Sequence, residues 1–306
     1  MRTASRSQHR KRGVSLAVSL TEPSPMPPLP DPEPSFSSPA MQRRLLLRAA
    51  AGTLLFSPWL KAAQARAAVN LAATPIGRMD LPWWRKRFEA SLQQVRRSQP
   101  ELVWLGDSIT ENWERSSPQP WADYQPIWQR EYGRYQPLNL GFIGDTTSSV
   151  LWRLDHGQVQ GLSPKVCILL IGANNLGRPH WGAHLTVPGI EAVVDKVHQL
   201  LPHTAVLLLG VLPSKRSAWI SAETLKINAA LAQRYAHSPF VTFLNVGHVL
   251  LDAQGQPDPA LYLEGHEAHQ TVLLHPDAQG MQRIAQAIAP TLDKLMTDAP
   301  DRPKSP

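Results

Sequence analysis

Five short apolar runs recur along the chain: Leu102–Leu105, Pro137–Leu140, Val166–Ile171, Ala205–Leu209 and Val241–Leu244. Each is continuous rather than alternating, the pattern of strands buried on both faces. Helical segments separate or flank them. Pro82–Arg97 reads as an amphipathic helix before the first run. Pro188–Leu201 lines up Ile190, Val193, Val194, Val197, Leu200 and Leu201 on one face, and Ala222–Ala236 follows the fourth run. Asp277–Met296 closes the chain with Met281, Ile284, Ile288, Leu292 and Leu295 aligned. Strands alternating with helices predict an α/β fold, a parallel sheet covered by helices on both faces. No internal repeat or linker interrupts residues 81–297, so one domain is expected, over 68–297, with a short tail at 298–306.

Ligands in such folds bind beyond the carboxyl ends of the strands, so the residues that follow each run carry the information. After the first comes Gly106-Asp107-Ser108, then the helix-compatible Ile109-Thr110-Glu111. Gly106 permits a tight turn, and Ser108 falls at a helix N-terminus, where N–H groups favour developing negative charge. After the second comes Gly141-Phe142-Ile143-Gly144-Asp145, without the lysine or third glycine of a phosphate-cradling loop. After the third comes Gly172-Ala173-Asn174-Asn175, where Asn174 suits either a turn or an oxyanion donor. His275 precedes the last helix, a position that also suits a capping residue. Cys167, the single cysteine, lies inside an apolar run and reads as a buried hydrophobe, not a nucleophile.

Together and in this order, these four blocks resemble the SGNH (GDSL) hydrolase family, from about Leu102 to Ile288. Asn139–Leu154, Ser163–Gly177 and Leu274-His275-Pro276 look closest to bacterial relatives of platelet-activating-factor acetylhydrolase catalytic subunits. The resemblance implies a three-layer α/β/α sandwich with a five-stranded parallel sheet, flavodoxin-like, and an esterase that needs neither metal nor organic cofactor. By the same resemblance Ser108 is the nucleophile and His275 the base, and the N–H groups of Ser108 and Gly144 with the Asn174 amide form the oxyanion hole. A short acyl group, acetyl above all, on a small-molecule or glycan alcohol is the implied substrate class.

Two positions depart from the family pattern. Many relatives have aspartate where Asn175 stands, a change expected to matter little. The family also places an aspartate three residues before the histidine, and here that residue is Val272. A Ser108–His275 dyad, with a backbone carbonyl orienting the imidazole, is therefore expected. Asp277 reads as a first-turn helix residue, and Glu264 and Glu267 lie in a stretch that the pattern does not place. His266 and His269 form a metal-type pair without a matching ligand set. Val272 also motivates a second reading, a weakly catalytic protein that binds acylated glycans, and acyl transfer to a second alcohol would use the same residues. Asp107 reads as a structural hydrogen-bonding residue. Trp113, Trp181 and Trp219 follow strands on the substrate side, where they either grip substrate or pack under loops.

The net charge is confined to the front. Residues 1–67 carry ten Lys/Arg and three Asp/Glu, which accounts for the whole formal net charge of +7. The remainder balances to zero, so nucleic acid is not an expected partner. Residues 1–40 are basic and then Pro/Ser-rich, a composition that cannot build a core, and Met41 is an alternative start. Residues 41–67 resemble a twin-arginine export signal: Arg43-Arg44, an apolar stretch too short for a stable span, and Ala65-Arg66-Ala67. Export to the periplasm or beyond, with cleavage near Ala67, is the expectation. Oligomeric state is left open.

Overall fold

The computed structural model describes residues 69–267 and 272–298. The expectations over residues 1–40 and 41–67, the tail past Asp298 and His269 lie outside the described residues. Helix α1 (Pro82–Arg97) leads into β1 (Leu102–Gly106), the short α2 (Ser108–Glu111) and α3 (Gln125–Tyr132). Then come β2 (Leu138–Gly141), α4 (Thr147–Asp155), β3 (Val166–Leu170), α5 (Ala183–Leu200) and β4 (Ala205–Leu209). Helix α6 (Ala218–Tyr235), β5 (Val241–Leu244) and α7 (Ala278–Asp298) complete the order. No described helix is long and apolar enough to cross a membrane.

All strand pairs are parallel, in the order β2-β1-β3-β4-β5. This is the flavodoxin-like order, whose direction of winding reverses between β1 and β3. The continuous apolar character of the strands is explained by the two cores. Val103, Leu105, Cys167, Leu169, Val206 and Leu208 face α4, α5 and α6 on one side. Leu102, Trp104, Val166, Ile168, Leu207 and Leu209 face α3 and α7 on the other. Burial pushes the Cys167 thiol up to about 12, so it stays protonated in its core position.

Two helices begin earlier than expected. Helix α5 starts at Ala183, with Pro188 inside it instead of at its head. Proline removes one helical N–H and crowds the preceding turn. That turn is held from outside: Leu185 and Thr186 N–H donate to Gly182 O at 3.0 and 2.9 Å, and Ala183 N–H donates to Glu223. Helix α6 starts at Ala218 because Ser217 caps it, its hydroxyl accepting from Ile220 N–H at 3.1 Å.

Trp113 belongs to the core rather than to a substrate face. It packs with Trp104, Trp128 and Tyr132 at centroid distances of 5.3–6.1 Å and is 1% exposed. Its apolar bulk wins over any approach to solvent. Trp219 is half-buried and stacks on His180 at 3.7 Å, and Trp181 is half-buried beside the start of α5.

Candidate active site

Strand β1 delivers Ser108 to the sheet edge at the point where the winding reverses. A Cβ on Gly106 would collide with Leu170 O and the Thr110 hydroxyl, so β1, β3 and α2 approach this closely only with glycine there. Asp107 caps α2, its carboxylate accepting from Ile109 N–H at 3.0 Å. That leaves the Ser108 N–H, first in the helix, among the donors without an intrahelical acceptor. Burial pushes the Asp107 carboxyl up to about 6, against the Ile109 hydrogen bond and the nearby charge of His275. Asp107 thus acts as the cap, the structural role expected for it.

Ser108 Oγ lies 3.0 Å from His275 Nε2. The far side of the imidazole corrects the expected dyad: His275 Nδ1 is 2.7 Å from Glu264 Oε1, a carboxylate where a backbone carbonyl was expected. The same carboxylate accepts from His275 N–H at 3.1 Å and from Leu274 N–H at 3.2 Å. Glu264 reaches this place because the chain folds back on itself. Tyr262 and Pro276 form an antiparallel bridge, and Leu263 N–H donates to His275 O at 2.8 Å. A 3-10 turn at Leu263–His266 then presents Glu264 to the ring. Val272, at the family's usual acid position, is 41% exposed.

Burial works to raise the Glu264 carboxyl, but the His275 ring and the main-chain N–H groups outweigh it and hold it below the ordinary 4.5. An ionised carboxylate only accepts, so His275 Nδ1 carries the proton and Nε2 is free to accept from the Ser108 hydroxyl. A hydroxyl, imidazole and carboxylate in this chain can activate the serine by general-base catalysis.

Asp277 is committed elsewhere. One of its oxygens accepts from Gly280 N–H at 2.7 Å as a cap of α7, and the other meets His266 Nε2 at 2.8 Å. His266, half of the pair considered for metal, is held by that contact and by stacking against Trp121 at 5.1 Å.

Gly144 and Asn174 face each other across the same edge. Asp145 N–H closes a turn on Phe142 O at 3.1 Å, with φ +73° at Gly144 and no positive φ at Ile143, the type II pattern. The Ile143 carbonyl accepts from Arg78 Nη1 at 2.8 Å. In a trans peptide the C=O and the next N–H point opposite ways, so the Gly144 N–H is turned away from Arg78. Asn174 Nδ2 donates to Asp145 O at 3.0 Å and approaches Asp107 Oδ2 at 3.4 Å, which sets its amide between the serine and glycine segments. Its neighbour Asn175 is buried and pins the start of α4, accepting from Thr147 N–H at 3.0 Å and donating to Thr147 Oγ1 at 2.8 Å. The Thr147 hydroxyl gives its own proton to Ala72 O, so an ionised carboxylate in place of Asn175 would lose the second bond and the amide suits this position.

Two arginines brace this edge, and neither stood out in the sequence. Arg153 is fully buried and pairs with Asp145 at 2.8 Å. It also donates to Gly106 O at 3.2 Å and Leu140 O at 3.1 Å, tying the ends of β1 and β2 together. Arg78 reaches Asp145 at 3.1 Å, and Trp84 Nε1 adds a third donor at 2.7 Å. Burial pushes the Asp145 carboxyl up and the Arg153 guanidinium down, each opposed by the other's charge. Removing one partner of such a pair costs about 3–5 kcal/mol, because the other charge is stranded.

A cavity of about 480 Å³ opens beside Gly144 and Asn174. Another, of about 430 Å³, lies at the amino ends of β1 and β3 against Glu101 and Lys165, remote from the serine.

Comparison with known proteins fits this geometry. The profile of the GDSL-like Lipase/Acylhydrolase family matches residues 104–283. The platelet-activating factor acetylhydrolase IB subunit alpha1 of Bos taurus is 25% identical over 215 residues, 70% of this chain and 84% of the relative. The alpha2 subunit of Gallus gallus is 28% identical over 190 residues, 61% of this chain and 78% of the relative. Among solved structures, a chain from Streptococcus pneumonia provisionally described as a platelet activating factor shares the fold. Its TM-score is 0.52 and its identity 23%, over 70% of this chain and 95% of that one.

Proposed function

This chain belongs to the GDSL-like lipase/acylhydrolase family and is a carboxylic ester hydrolase, and from that premise we propose that it removes short acyl groups, acetyl above all, through Ser108 and His275. The observation that carries the reading is the continuous contact from Ser108 Oγ to His275 Nε2 at 3.0 Å and from Nδ1 to Glu264 at 2.7 Å. His275 takes the hydroxyl proton as Ser108 attacks the ester carbonyl, then returns it to the departing alcohol. Water repeats the sequence on the acyl-enzyme and regenerates the serine. Glu264 holds the ring in the accepting tautomer and stabilises its cationic form. The oxyanion is received by the Ser108 N–H, the Gly144 N–H and the Asn174 amide, donors already fixed by α2, by the Arg78-held turn and by Asp145.

The acetyl preference takes support from the acetylhydrolase relatives. The idea of binding without turnover rested on Val272, and the Glu264 contact removes that ground. A series of p-nitrophenyl esters tests the reading. Acetate is expected to exceed octanoate in kcat/KM by about tenfold or more. A maximum at octanoate would reject the short-chain assignment.

Export belongs to the same proposal, supported by Arg43-Arg44, the apolar stretch after them and Ala65-Arg66-Ala67. Amino-terminal sequencing of the extracytoplasmic protein is expected to begin near Ala68. An uncut Met1 there would reject it.

A further inference from the structure

The cavity beside Gly144 and Asn174 has a charge that acetyl transfer to water does not require. Arg78, Arg178, Thr146 and Ser149 are among the residues that line it, and no Asp or Glu is. Behind the wall, the single carboxylate of Asp145 is shared between Arg78 at 3.1 Å and the buried Arg153 at 2.8 Å. Around Asp145 that is one negative charge against two positive ones; Asp107 stands behind Asn174 at 3.4 Å, and the Glu111 carboxylate bonded to Ile143 N–H has Arg87 beside it at 3.4 Å. Three carboxylates thus meet three guanidinium groups behind the wall, and Arg178, exposed and without an ion pair or hydrogen bond among the described residues, sets the sign of the cavity.

The elements around the wall reinforce the sign. Helix α4 runs nine residues from its cap, Thr146, and its positive end meets the cavity at Thr146 and Ser149. The Thr146 hydroxyl caps no N–H of that helix; it lies 2.7 Å from the Ser148 hydroxyl and 3.5 Å from that of Ser149, leaving hydroxyl donors for a ligand. Arg78, with its side chain 25% exposed, is partly withdrawn from water, which strengthens its attraction for an opposite charge. A guanidinium fork fits a carboxylate or phosphate edge to edge, and a neutral acetyl group offers nothing for it.

We propose that this cavity is an anion subsite, and that the preferred substrate is an ester carrying a carboxylate or phosphate group. This rests on Ser108 being the nucleophile, because the cavity shares Gly144 and Asn174 with the oxyanion donors. No bond changes in the subsite; it holds the charged end of the ester while the acyl carbon sits at Ser108.

Two matched series test it. The first places charge on the alcohol: 2-acetoxyethyl phosphate, 2-acetoxyethanol and acetylcholine. The second places it on the acyl group: mono-p-nitrophenyl succinate against p-nitrophenyl butyrate. In at least one series the anionic ester is expected to exceed its neutral match in kcat/KM by about tenfold at low salt, and acetylcholine should be the poorest of its set. The anionic-to-neutral ratio should fall about fivefold or more in Arg178→Gln, and again in about 0.5 M sodium chloride. Equal rates for anionic and neutral esters in both series, or a ratio that Arg178→Gln leaves in place, would overturn the subsite. Calorimetric titration with inorganic phosphate reads the same cavity without turnover. Phosphate binding that depends on Arg178, in a protein that does not hydrolyse p-nitrophenyl acetate, would uphold the subsite and fault the catalytic reading alone.

Discussion

Replacing Ser108 with alanine is expected to lower kcat for p-nitrophenyl acetate by about 10⁵–10⁶-fold, the scale seen when a serine hydrolase loses its nucleophile. In the proposed mechanism the Ser108 hydroxyl forms the acyl-enzyme, a step that the alanine variant cannot take. Asp107 precedes it as the cap of α2, and Thr110, two residues further on, is fully buried. The substitution should leave the fold nearly untouched. Ser108 gives one hydrogen bond, to His275 at 3.0 Å, and alanine is well tolerated in a helix, so the stability change should stay within about 1 kcal/mol. Stopped assays of purified wild-type and variant protein, with thermal melts beside them, separate the two effects. An Ser108→Ala protein that retains a few per cent of wild-type turnover would remove Ser108 from the mechanism. The residual rate informs as well. The Gly144 N–H and Asn174 amide remain after the substitution, and in serine hydrolases such donors with binding preserve about 10³–10⁴-fold over water.

Much of this was legible in the sequence, for a physical reason. A parallel strand buried on both faces must be continuously apolar, so the five runs declared themselves, and their bounds differ from the structure by at most one residue at either end. Ser108, Gly144 and Asn174 stood out as candidates because the fold puts binding residues directly after strands. What escaped depends on contacts between distant segments. Pro188 looked like a helix start because the sequence does not display the Gly182 carbonyl and Glu223 side chain that support the turn before it. Arg153 looked like any charge on a helix, and only the packed structure reveals it bonding Asp145, Gly106 O and Leu140 O together. Trp113 sat after a strand, as substrate-contacting residues do, yet its partners Trp128 and Tyr132 come from α3 and draw it into the core.

Glu264 is the most consequential of these. A search for the acid at fixed spacing from His275 finds Val272 and stops. The carboxylate arrives from eleven residues upstream through the Tyr262–Pro276 bridge, and no local spacing encodes that. The geometry makes a sharp prediction. Glu264→Gln is expected to reduce kcat by about 10³–10⁴-fold, with KM little changed, by the logic that applies when a triad carboxylate becomes an amide. The glutamine NH₂ can donate to Nδ1, which favours the tautomer with its proton on Nε2, and Nε2 then cannot accept from Ser108. Val272→Asp on the wild-type background should leave kcat within about twofold, because Nδ1 already has its partner. If Glu264→Gln were silent and Val272→Asp raised kcat tenfold or more, the dyad would be restored as the resting state of this site.

Stability gives an independent reading of the same contact. The Glu264 carboxyl is held below its ordinary 4.5, so its interactions stabilise the fold above that value and are lost as pH falls through the lowered one. At neutral pH the Glu264→Gln protein should therefore melt below wild type, and the gap should close as pH falls below about 4.5. A gap that stayed constant down to pH 3 would mean that the ionised carboxylate is not what holds His275.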